Sequence, residues 1–332
     1  MRKYFGTDGI RRIANTELTP ELVYKVAKAG AYVLSKHTDH TPTILIGRDT
    51  RISGTLIESA MTAGFLSYGA NVKQLGVLPT PAVAYLTKKL KADASVVISA
   101  SHNTYEFNGV KYFSNKGMKI PDELEEEIED VMDSGKLDEL SAANDKIGVS
   151  EIRTDLLDEY VYFFRKNFEE DFENINMPED FVVAVDTANG ATSVVAEKVF
   201  SALGIKHYIL NNTPTGININ DNCGSTHLDS LKKYVVENNC NLGIAYDGDG
   251  DRCLAVDEKG NEIDGDKILA VISNYMKEKG TLKKDTLVAT VMSNLGLKKY
   301  AEANNINFEE TKVGDRYVLE KMLKEGYNLG GE

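Results

Sequence analysis

Short runs of apolar, often β-branched residues alternate along the chain with longer stretches in which apolar residues recur at helical spacing. The runs 43–47, 72–78 and 94–98 predict buried strands, and the segment 55–68 predicts a helix between the first two. Strands that are separated by helices of roughly 10–15 residues are typical of a parallel α/β sheet with helices on both faces. The first part of the chain is therefore predicted to form such a sheet.

Local signals mark the ends of the predicted helices. Thr55 and Glu58 have the spacing of a capping box at the start of the helix 55–68, and Gly69 can close its end. Pro121 suits the first turn of a later helix.

The alternation restarts after position 150 and again near position 265. The strands expected there are 181–186, 208–210, 242–246, 286–291 and 327–329, and the helices are 191–203, 265–277 and two that begin at 228 and 295. The polar, acidic stretch 134–150 predicts a linker. We therefore predict an α/β fold of three consecutive domains with mixed, mostly parallel sheets, at residues 1–150, 151–255 and 256–332, the third of them incomplete.

The charge balance narrows the classes of function. The 332 residues include 38 Lys and Arg against 51 Asp and Glu, a net charge of −13, and an acidic surface repels the phosphates of nucleic acids. No apolar run approaches the roughly 18 residues that a membrane helix needs, and the first residues lack the apolar stretch of a signal peptide. The three cysteines form neither an even set nor a Cys-x-x-Cys pair. We therefore expect a cytoplasmic protein that binds neither nucleic acid nor membrane.

A polar turn, Ser99-Ala-Ser-His-Asn103, follows directly after the predicted strand 94–98. The loops at the carboxyl ends of parallel strands are where ligands bind. A serine on this turn presents its hydroxyl, and His102 and Lys111 could handle protons and anionic charge. The sequence equally allows a purely structural interpretation, in which this is a polar turn with a capping serine.

Three aspartates alternate with glycines in Asp247-Gly-Asp-Gly-Asp-Arg252, directly after the predicted strand 242–246. Like charges that converge in this way repel unless a cation lies among them, and oxygen ligands favour Mg²⁺ or Ca²⁺. An EF-hand would place Glu258 correctly at its twelfth position. However, Arg252 stands at the sixth, where glycine is required, and the flanks predict strands. A metal-free acidic turn is the other alternative.

Further polar motifs carry weaker signals. Arg48 and Arg51 could orient a phosphate, or could belong to a surface salt-bridge cluster around Asp49. The Gly-rich stretch 5–12 offers backbone and arginines to an anion. The loop 223–227 is interpreted as a structural or substrate-facing loop, because it lacks the second ligand pair that zinc needs. The stretch 312–316 predicts either a phosphate contact or the start of a helix.

Taken together, four stretches resemble the ordered signature motifs of the α-D-phosphohexomutases. They are Phe5-Gly-Thr-Asp-Gly-Ile-Arg11, Gly47-Arg-Asp-Thr-Arg51, Ile98-Ser-Ala-Ser-His-Asn103 and Asp247-Gly-Asp-Gly-Asp-Arg252. Within that superfamily, Gly6-Thr-Asp-Gly9 and Cys223-Gly-Ser-Thr-His227 resemble the bacterial phosphoglucosamine mutase branch. The similarity runs through the whole chain in the right order.

The resemblance implies roles for individual residues. Ser101 is similar to the serine that is phosphorylated in the resting enzyme. The implied ligands of one Mg²⁺ ion are the phosphate on Ser101 and the side chains of Asp247, Asp249 and Asp251. The residues implied in proton transfer and phosphoryl stabilisation are Lys111, His102 and Arg11. The residues implied in substrate or phosphate binding are Arg48, Arg51, Arg252 and Glu332.

The implied reaction interconverts glucosamine 6-phosphate and glucosamine 1-phosphate through a hexosamine 1,6-bisphosphate, for cell-wall precursor synthesis. The implied partners are a small sugar phosphate and a second copy in a homodimer. Two positions depart from the family pattern: Arg12 replaces a glycine, and Thr104 replaces a proline. Alternatives are a mutase for glucose or mannose phosphates and a non-catalytic Mg²⁺-binding remnant.

The end of the chain is expected to be incomplete by the same resemblance. Gly330-Gly-Glu332 is similar to the opening of the family's sugar-binding loop, and the rest of that loop and a fourth domain are not present. We therefore expect a truncated form with weak or no turnover.

Overall fold

The computed structural model describes residues 3–6, 8–174 and 178–332. Thr7, which belongs to the N-terminal Gly-rich motif, lies outside the described residues. The chain divides into two compact units, Met1–Cys253 and Leu254–Glu332. Among the described residues, no helix combines the length and the apolar character that crossing a membrane requires.

The first unit begins with a six-stranded mixed sheet. Its strands are β1 (Ile10–Ile13), β2 (Thr43–Arg48), β3 (Asn71–Val77), β4 (Ala94–Ile98), β5 (Phe107–Ser114) and β6 (Ser150–Ile152). Its helices are α1 (Pro20–Ser35), α2 (Gly54–Tyr68), α3 (Thr80–Lys89), α4 (Asp122–Asp133) and α5 (Leu156–Asn174). The strand order is β1-β5-β4-β2-β3-β6. β5 is antiparallel to β1 and β4, and the other neighbours are parallel.

Helices cover both faces of this sheet, as the apolar strands predict. In β2, Ile44 and Ile46 pack in one hydrophobic cluster with residues of α1 and α2, whereas Leu45 packs in a second cluster with residues of α3 and α5. In β4, Val96 likewise packs in the first cluster and Val97 in the second. Because successive strand residues point to opposite faces, a strand buried on both faces must be apolar throughout.

A smaller parallel sheet completes the first unit. Its strands are β7 (Val182–Asp186), β8 (Lys206–Leu210) and β9 (Leu242–Tyr246), and its helices are α6 (Ala196–Ala202) and α7 (Asp229–Glu237). β7 lies between the other two strands and is parallel to both. The carboxyl end of β9 carries the three aspartates.

The second unit, described by itself, is also α/β. Its elements are β10 (Cys253–Asp257), β11 (Glu262–Ile263), β12 (Thr286–Thr290), β13 (Asn307–Thr311), α8 (Gly265–Glu278), α9 (Leu295–Ala303) and α10 (Asp315–Glu325). β10 and β11 form an antiparallel hairpin, and β12 and β13 are parallel. Gly330 forms a parallel bridge to Val288 of β12. The sequence therefore predicted the α/β class and the mixed sheets correctly.

Several local predictions need correction. The capping box is wrong: α2 begins at Gly54 after Ser53, and Glu58 instead accepts a hydrogen bond from Arg48 Nε at 3.0 Å. Gly69 does close α2, in the left-handed conformation with φ 103°. The helix predicted over 191–203 is a short 3₁₀ turn followed by α6.

Three other stretches add detail to the sequence analysis. The stretch 312–316 is the start of α10. The stretch 134–150 contains two 3₁₀ turns, and its Ser141 Oγ accepts a hydrogen bond from Lys28 Nζ at 2.8 Å. The elements that were not predicted are α1, α5, β1, β6, β11 and β13.

Candidate active site

The serine turn after β4 and the aspartate loop after β9 meet in the first unit. Ser101 Oγ donates a hydrogen bond to Asp247 Oδ2 at 2.5 Å, across 146 residues of chain. Both side chains are buried. The structure therefore brings together the two strongest motifs of the sequence.

The three aspartates converge on one point. One carboxylate oxygen from each of Asp247, Asp249 and Asp251 lies within 4.8 Å of the other two. Asp249 Oδ1 is buried and has no hydrogen-bond partner among the described residues. An oxygen-only donor set with an unpaired buried carboxylate oxygen fits a hard divalent cation. Burial, together with the charges of Asp249 and Asp251, raises the pKa of Asp247 to about 7.

Lys111 of β5 neutralises part of this cluster. Its Nζ lies 2.9 Å from Asp249 Oδ2, 3.2 Å from Asp251 Oδ2 and 3.0 Å from Asp8 Oδ2. Burial alone would lower the pKa of Lys111, but the charges of Asp249, Asp251 and Asp8 raise it well above its ordinary value. Three ionised aspartates and one ammonium group leave a net charge of −2, which one divalent cation would offset.

Asp8 ties the N-terminal motif to this cluster. Lys119 Nζ lies 2.7 Å from Asp8 Oδ1, and Arg11 Nη2 lies 3.3 Å from Asp8 Oδ2. Burial would raise the pKa of Asp8, but the neighbouring charges of Lys111 and Lys119 lower it below its usual range.

A buried glutamate anchors the chain just before Asp8. The carboxylate of Glu129 on α4 accepts hydrogen bonds from the backbone N–H groups of Lys3, Tyr4 and Phe5 at 2.6–2.7 Å. The N-terminal motif is thus attached to a helix of the large sheet.

His102 and Arg252 lie side by side next to the serine. Arg252 Nη1 donates to His102 Nδ1 at 2.7 Å, and the backbone N–H of Arg252 donates to Asp247 Oδ1 at 3.1 Å. Partial burial and the charges of Arg252 and Arg11 lower the pKa of His102. Arg11 Nη1 donates to Asn103 Oδ1 at 3.0 Å, so cations of two motifs, Arg11 and Arg252, border the serine turn.

The two arginines after β2 hold protein groups. Arg51 is fully buried, forms an ion pair with Asp49 at 2.8 Å, and donates to the carbonyl oxygens of Ser101, Asn103 and Thr104. Arg48 pairs with Glu58, as described above. Both arginines form ion pairs, but the pair of Arg51 and Asp49 is buried and does not belong to a surface cluster. Arg51 also points its donors at the serine turn.

Of the remaining sequence motifs, the loop 223–227 belongs to the first unit and Glu332 belongs to the second. Cys223 is buried, and burial raises the pKa of its thiol to about 12. The next N–H, that of Gly224, donates to Asp186 Oδ2 at 3.0 Å. Glu332 is the last residue of the second unit. Strands β9 and β10 flank the aspartates, so the EF-hand alternative, which needs helices there, is wrong.

Sequence reasoning missed two polar residues that touch the site. Thr80 Oγ1 donates to Asp249 Oδ2 at 2.8 Å, and Asn220 Nδ2 donates to the carbonyl oxygens of Ser101 and Asn103. Thr80 follows the parallel strand β3, so the strand-end rule could have found it. Asn220 lies in a long loop with no local signal.

Comparison with known proteins identifies the class. Residues 2–139, 158–260 and 264–332 match, in order, α/β/α domains I, II and III of phosphoglucomutase/phosphomannomutase. The chain belongs to this family, which lies within the superfamily that the motifs predicted.

Individual relatives refine the comparison. The phosphoglucosamine mutase of Clostridium acetobutylicum is 52% identical over 332 residues, which are 100% of this chain and 72% of the relative. That of Acetivibrio thermocellus is 52% identical over 333 residues, covering 100% of this chain and 73% of the relative.

Solved structures support the fold. A putative phosphomannomutase from Thermus thermophilus superposes with a TM-score of 0.85 at 22% identity, over 100% of this chain and 74% of that one. A phosphoglucomutase/phosphomannomutase family protein from Burkholderia thailandensis superposes with a TM-score of 0.83 at 21% sequence identity. The superposition covers 100% of this chain and 71% of that one.

Proposed function

We propose that the chain is a phosphoglucosamine mutase, which interconverts glucosamine 6-phosphate and glucosamine 1-phosphate through a phosphoserine at position 101. The observation that carries the proposal is the 2.5 Å hydrogen bond from Ser101 Oγ to Asp247 inside a three-aspartate cluster. The 52% identity to curated phosphoglucosamine mutases supports the choice of substrate.

The covalent step moves one phosphoryl group between Ser101 and a sugar oxygen. When a hexosamine 1,6-bisphosphate donates, a bond forms between Ser101 Oγ and phosphorus, and the bond from phosphorus to the sugar oxygen breaks. The Ser101 proton passes to His102, the proton carrier in this proposal, which returns it to the departing sugar oxygen. The reverse step phosphorylates the other sugar hydroxyl, so that the two monophosphates interconvert.

A divalent cation, Mg²⁺ in this proposal, would be held by Asp247, Asp249, Asp251 and the phosphate on Ser101. When bound, it withdraws electron density from the phosphoryl group and offsets the charge that develops as the bond breaks. The unpaired Asp249 Oδ1 and the net charge of −2 are the features of the site that support this assignment.

The surrounding side chains orient and stabilise the transferring group. Lys111 remains charged and fixed by three carboxylates, which suits it to stabilise the phosphoryl oxygens rather than to accept a proton. His102 has one ring nitrogen bonded to Arg252 and is the proposed proton carrier. Arg11 and Arg252 would border the phosphate, and Arg51 would order the turn beneath it.

We also propose low turnover for a polypeptide of these 332 residues assayed alone. The relatives extend beyond the matched part, since the chain spans 72% of the Clostridium acetobutylicum enzyme. Glu332, proposed to bind sugar hydroxyls, is the last matched residue. A sugar that is held at fewer points is oriented less well, and orientation supplies much of the rate of such transfers.

The test is phosphorylation of the serine, read by mass. Incubation with glucosamine 1,6-bisphosphate and Mg²⁺ should add about 80 Da, one phosphoryl group, to a peptide that contains Ser101. The variant Ser101→Ala should gain none. A phosphate that maps to Ser99 or Ser53 would overturn the assignment.

Substrate choice needs a second assay. The rate of phosphoryl transfer from the phosphorylated chain is measured with glucosamine 6-phosphate, glucose 1-phosphate and mannose 1-phosphate. It should be highest with glucosamine 6-phosphate. A preference for glucose or mannose phosphates would instead support a phosphoglucomutase or phosphomannomutase.

A further inference from the structure

We propose that Asn220 is a positioning residue for Ser101. Its side-chain amide, together with the Arg51 guanidinium, clamps two carbonyl oxygens of the serine turn and keeps Ser101 Oγ against Asp247. The proposal rests on the proposed phosphorylation of Ser101 and adds to it a residue whose side-chain amide bonds to the backbone of the serine turn.

The clamp consists of two donors that share the same two acceptors. Arg51 Nη2 lies 2.9 Å from the carbonyl oxygen of Ser101 and 2.9 Å from that of Asn103. Asn220 Nδ2 lies at the same 2.9 Å from each of these oxygens. A carbonyl oxygen has two lone pairs, so each acceptor is filled by one bond from Arg51 and one from Asn220.

The turn needs external support because Ser101 adopts a left-handed backbone conformation. Its φ is 52°, a left-handed conformation in which the Cβ of an L-residue crowds the following carbonyl oxygen. Such a conformation persists only where the surrounding structure over-determines it. Here the backbone N–H of Ser101 donates to Ser99 Oγ at 2.9 Å, while the two clamp donors hold its carbonyl oxygen.

Asn220 fixes the turn relative to the aspartate loop in a way that Arg51 cannot. Arg51 follows β2 of the large sheet, whereas Asn220 and Asp247 both belong to the part of the chain that matches domain II, residues 158–260. The backbone of Gly248, next to Asp247, runs beside the clamp: a Cβ there would lie 2.5 Å from the Ser101 carbonyl oxygen and 2.8 Å from Asn220 Nδ2. Asn220 therefore positions Ser101 relative to Asp247.

Asn220 is also the better residue to change. Arg51 neutralises the fully buried Asp49, so its removal would leave an uncompensated charge in the core and threaten folding. Asn220 is neutral, and the hydrogen bonds described for its side chain are the two of the clamp.

Two substitutions separate a donor role from a packing role. Asn220→Ala removes the donor and leaves a void. Asn220→Asp keeps the shape but replaces the NH₂ group with an oxygen that repels both carbonyl oxygens. Asn304→Asp is the matched control, because Asn304 Nδ2 likewise donates to a backbone carbonyl oxygen, that of Tyr300 in α9, which is not part of the serine turn.

Three readouts are measured on the 332-residue chain and each variant. They are the rate and KM of Ser101 phosphorylation by glucosamine 1,6-bisphosphate, the Mg²⁺ affinity by calorimetry, and the hydrogen–deuterium exchange of the peptide 99–106. Both Asn220 variants should phosphorylate Ser101 on the order of 10- to 100-fold more slowly. Their KM and Mg²⁺ affinity should stay within about threefold, and exchange in 99–106 should accelerate. Asn304→Asp should match the parent chain.

The outcomes are distinguishable. If Asn220→Asp keeps the parent rate and exchange while Asn220→Ala loses them, Asn220 only fills space and the clamp proposal is overturned. If both variants keep them, it is overturned as well. If the parent chain is never phosphorylated at Ser101, the proposed function fails, and with it the role of Asn220 in phosphoryl transfer. The hydrogen–deuterium exchange of the peptide 99–106 then tests only whether Asn220 orders the serine turn.

Discussion

Thr80 holds one oxygen of Asp249, and the other oxygen has no hydrogen-bond partner in the part of the chain that the structure describes. Thr80 Oγ1 donates to Asp249 Oδ2 at 2.8 Å, and the backbone N–H of Thr80 donates to the Asp249 carbonyl at 2.8 Å. Lys111 Nζ binds the same Oδ2. The carboxylate of Asp249 is therefore fixed through Oδ2, and Oδ1 is left as the oxygen that can bind a cation.

This relationship predicts the effect of Thr80→Val, which keeps the shape of the side chain and removes the hydroxyl. Groups that orient a metal ligand typically contribute about 10- to 100-fold to metal affinity. We expect Mg²⁺ binding, measured by calorimetry, to weaken by about that factor. The control is Thr87→Val, because Thr87 is equally buried but bonds to Val83 and Ser95, outside the site. Equal Mg²⁺ affinities for the two variants would refute the orienting role of Thr80.

Lys111 should matter both for stability and for the charge that the triad presents. Lys111→Met leaves Asp249, Asp251 and Asp8 without their shared cation, and breaking a buried ion pair costs about 3–5 kcal/mol. The thermal stability of the variant should then depend more strongly on a metal ion that offsets the charge of the three carboxylates. We expect a lower melting temperature without Mg²⁺ and a larger rise on adding Mg²⁺ than the parent shows.

Lys28→Met is the control for this prediction. Lys28 is as buried as Lys111, but its ammonium group bonds to the hydroxyl of Ser141. Its variant should show the same Mg²⁺-dependent rise as the parent. A rise in Lys111→Met no larger than the parent's would contradict the charge argument.

The sequence predicted best what depends on local pattern. β4 and β9 were placed to the residue because an apolar run between turn residues has few other interpretations. Ser101 and the aspartates were found because each motif follows such a strand. α5 was missed although Tyr160, Phe163 and Phe164 have helical spacing.

The failures concern partners that are distant in the chain. The capping box at Glu58 failed because Arg48, ten residues away, offered its carboxylate an ion pair. Asn220 escaped notice because its acceptors lie 117 and 119 residues away, in a turn that only the folded chain brings near. No periodicity or spacing encodes such a contact.

Gly248 is predicted to tolerate no side chain. An added Cβ would lie 2.5 Å from the carbonyl oxygen of Ser101, closer than atoms pack, so Gly248→Ala should displace the serine turn from Asp247. We expect Ser101 phosphorylation to fall by about 100-fold, as a shift of roughly 1 Å can cause. Circular dichroism should stay close to that of the parent.

Gly204→Ala serves as the comparison for Gly248→Ala. Gly204 has a φ of 69°, so alanine there adds backbone strain, but its Cβ would meet nothing within 4 Å. If Gly204→Ala slows phosphorylation as much as Gly248→Ala does, the effect is one of general strain and the steric argument is wrong.

Asp8 should give the chain an acid-sensitive contribution to stability. The charges of Lys111 and Lys119 outweigh burial and lower its pKa below the ordinary 3.8. A group whose pKa is lower in the folded state stabilises the fold above its unfolded pKa, and this stabilisation is lost as pH falls toward the folded value. Asp8→Asn removes the charge, so the variant should melt below the parent at about pH 6, and the difference should shrink by about pH 3. The measurement is the melting temperature of both proteins across that range. A difference that stays constant or widens toward low pH would show that Asp8 does not hold its charge through these two lysines.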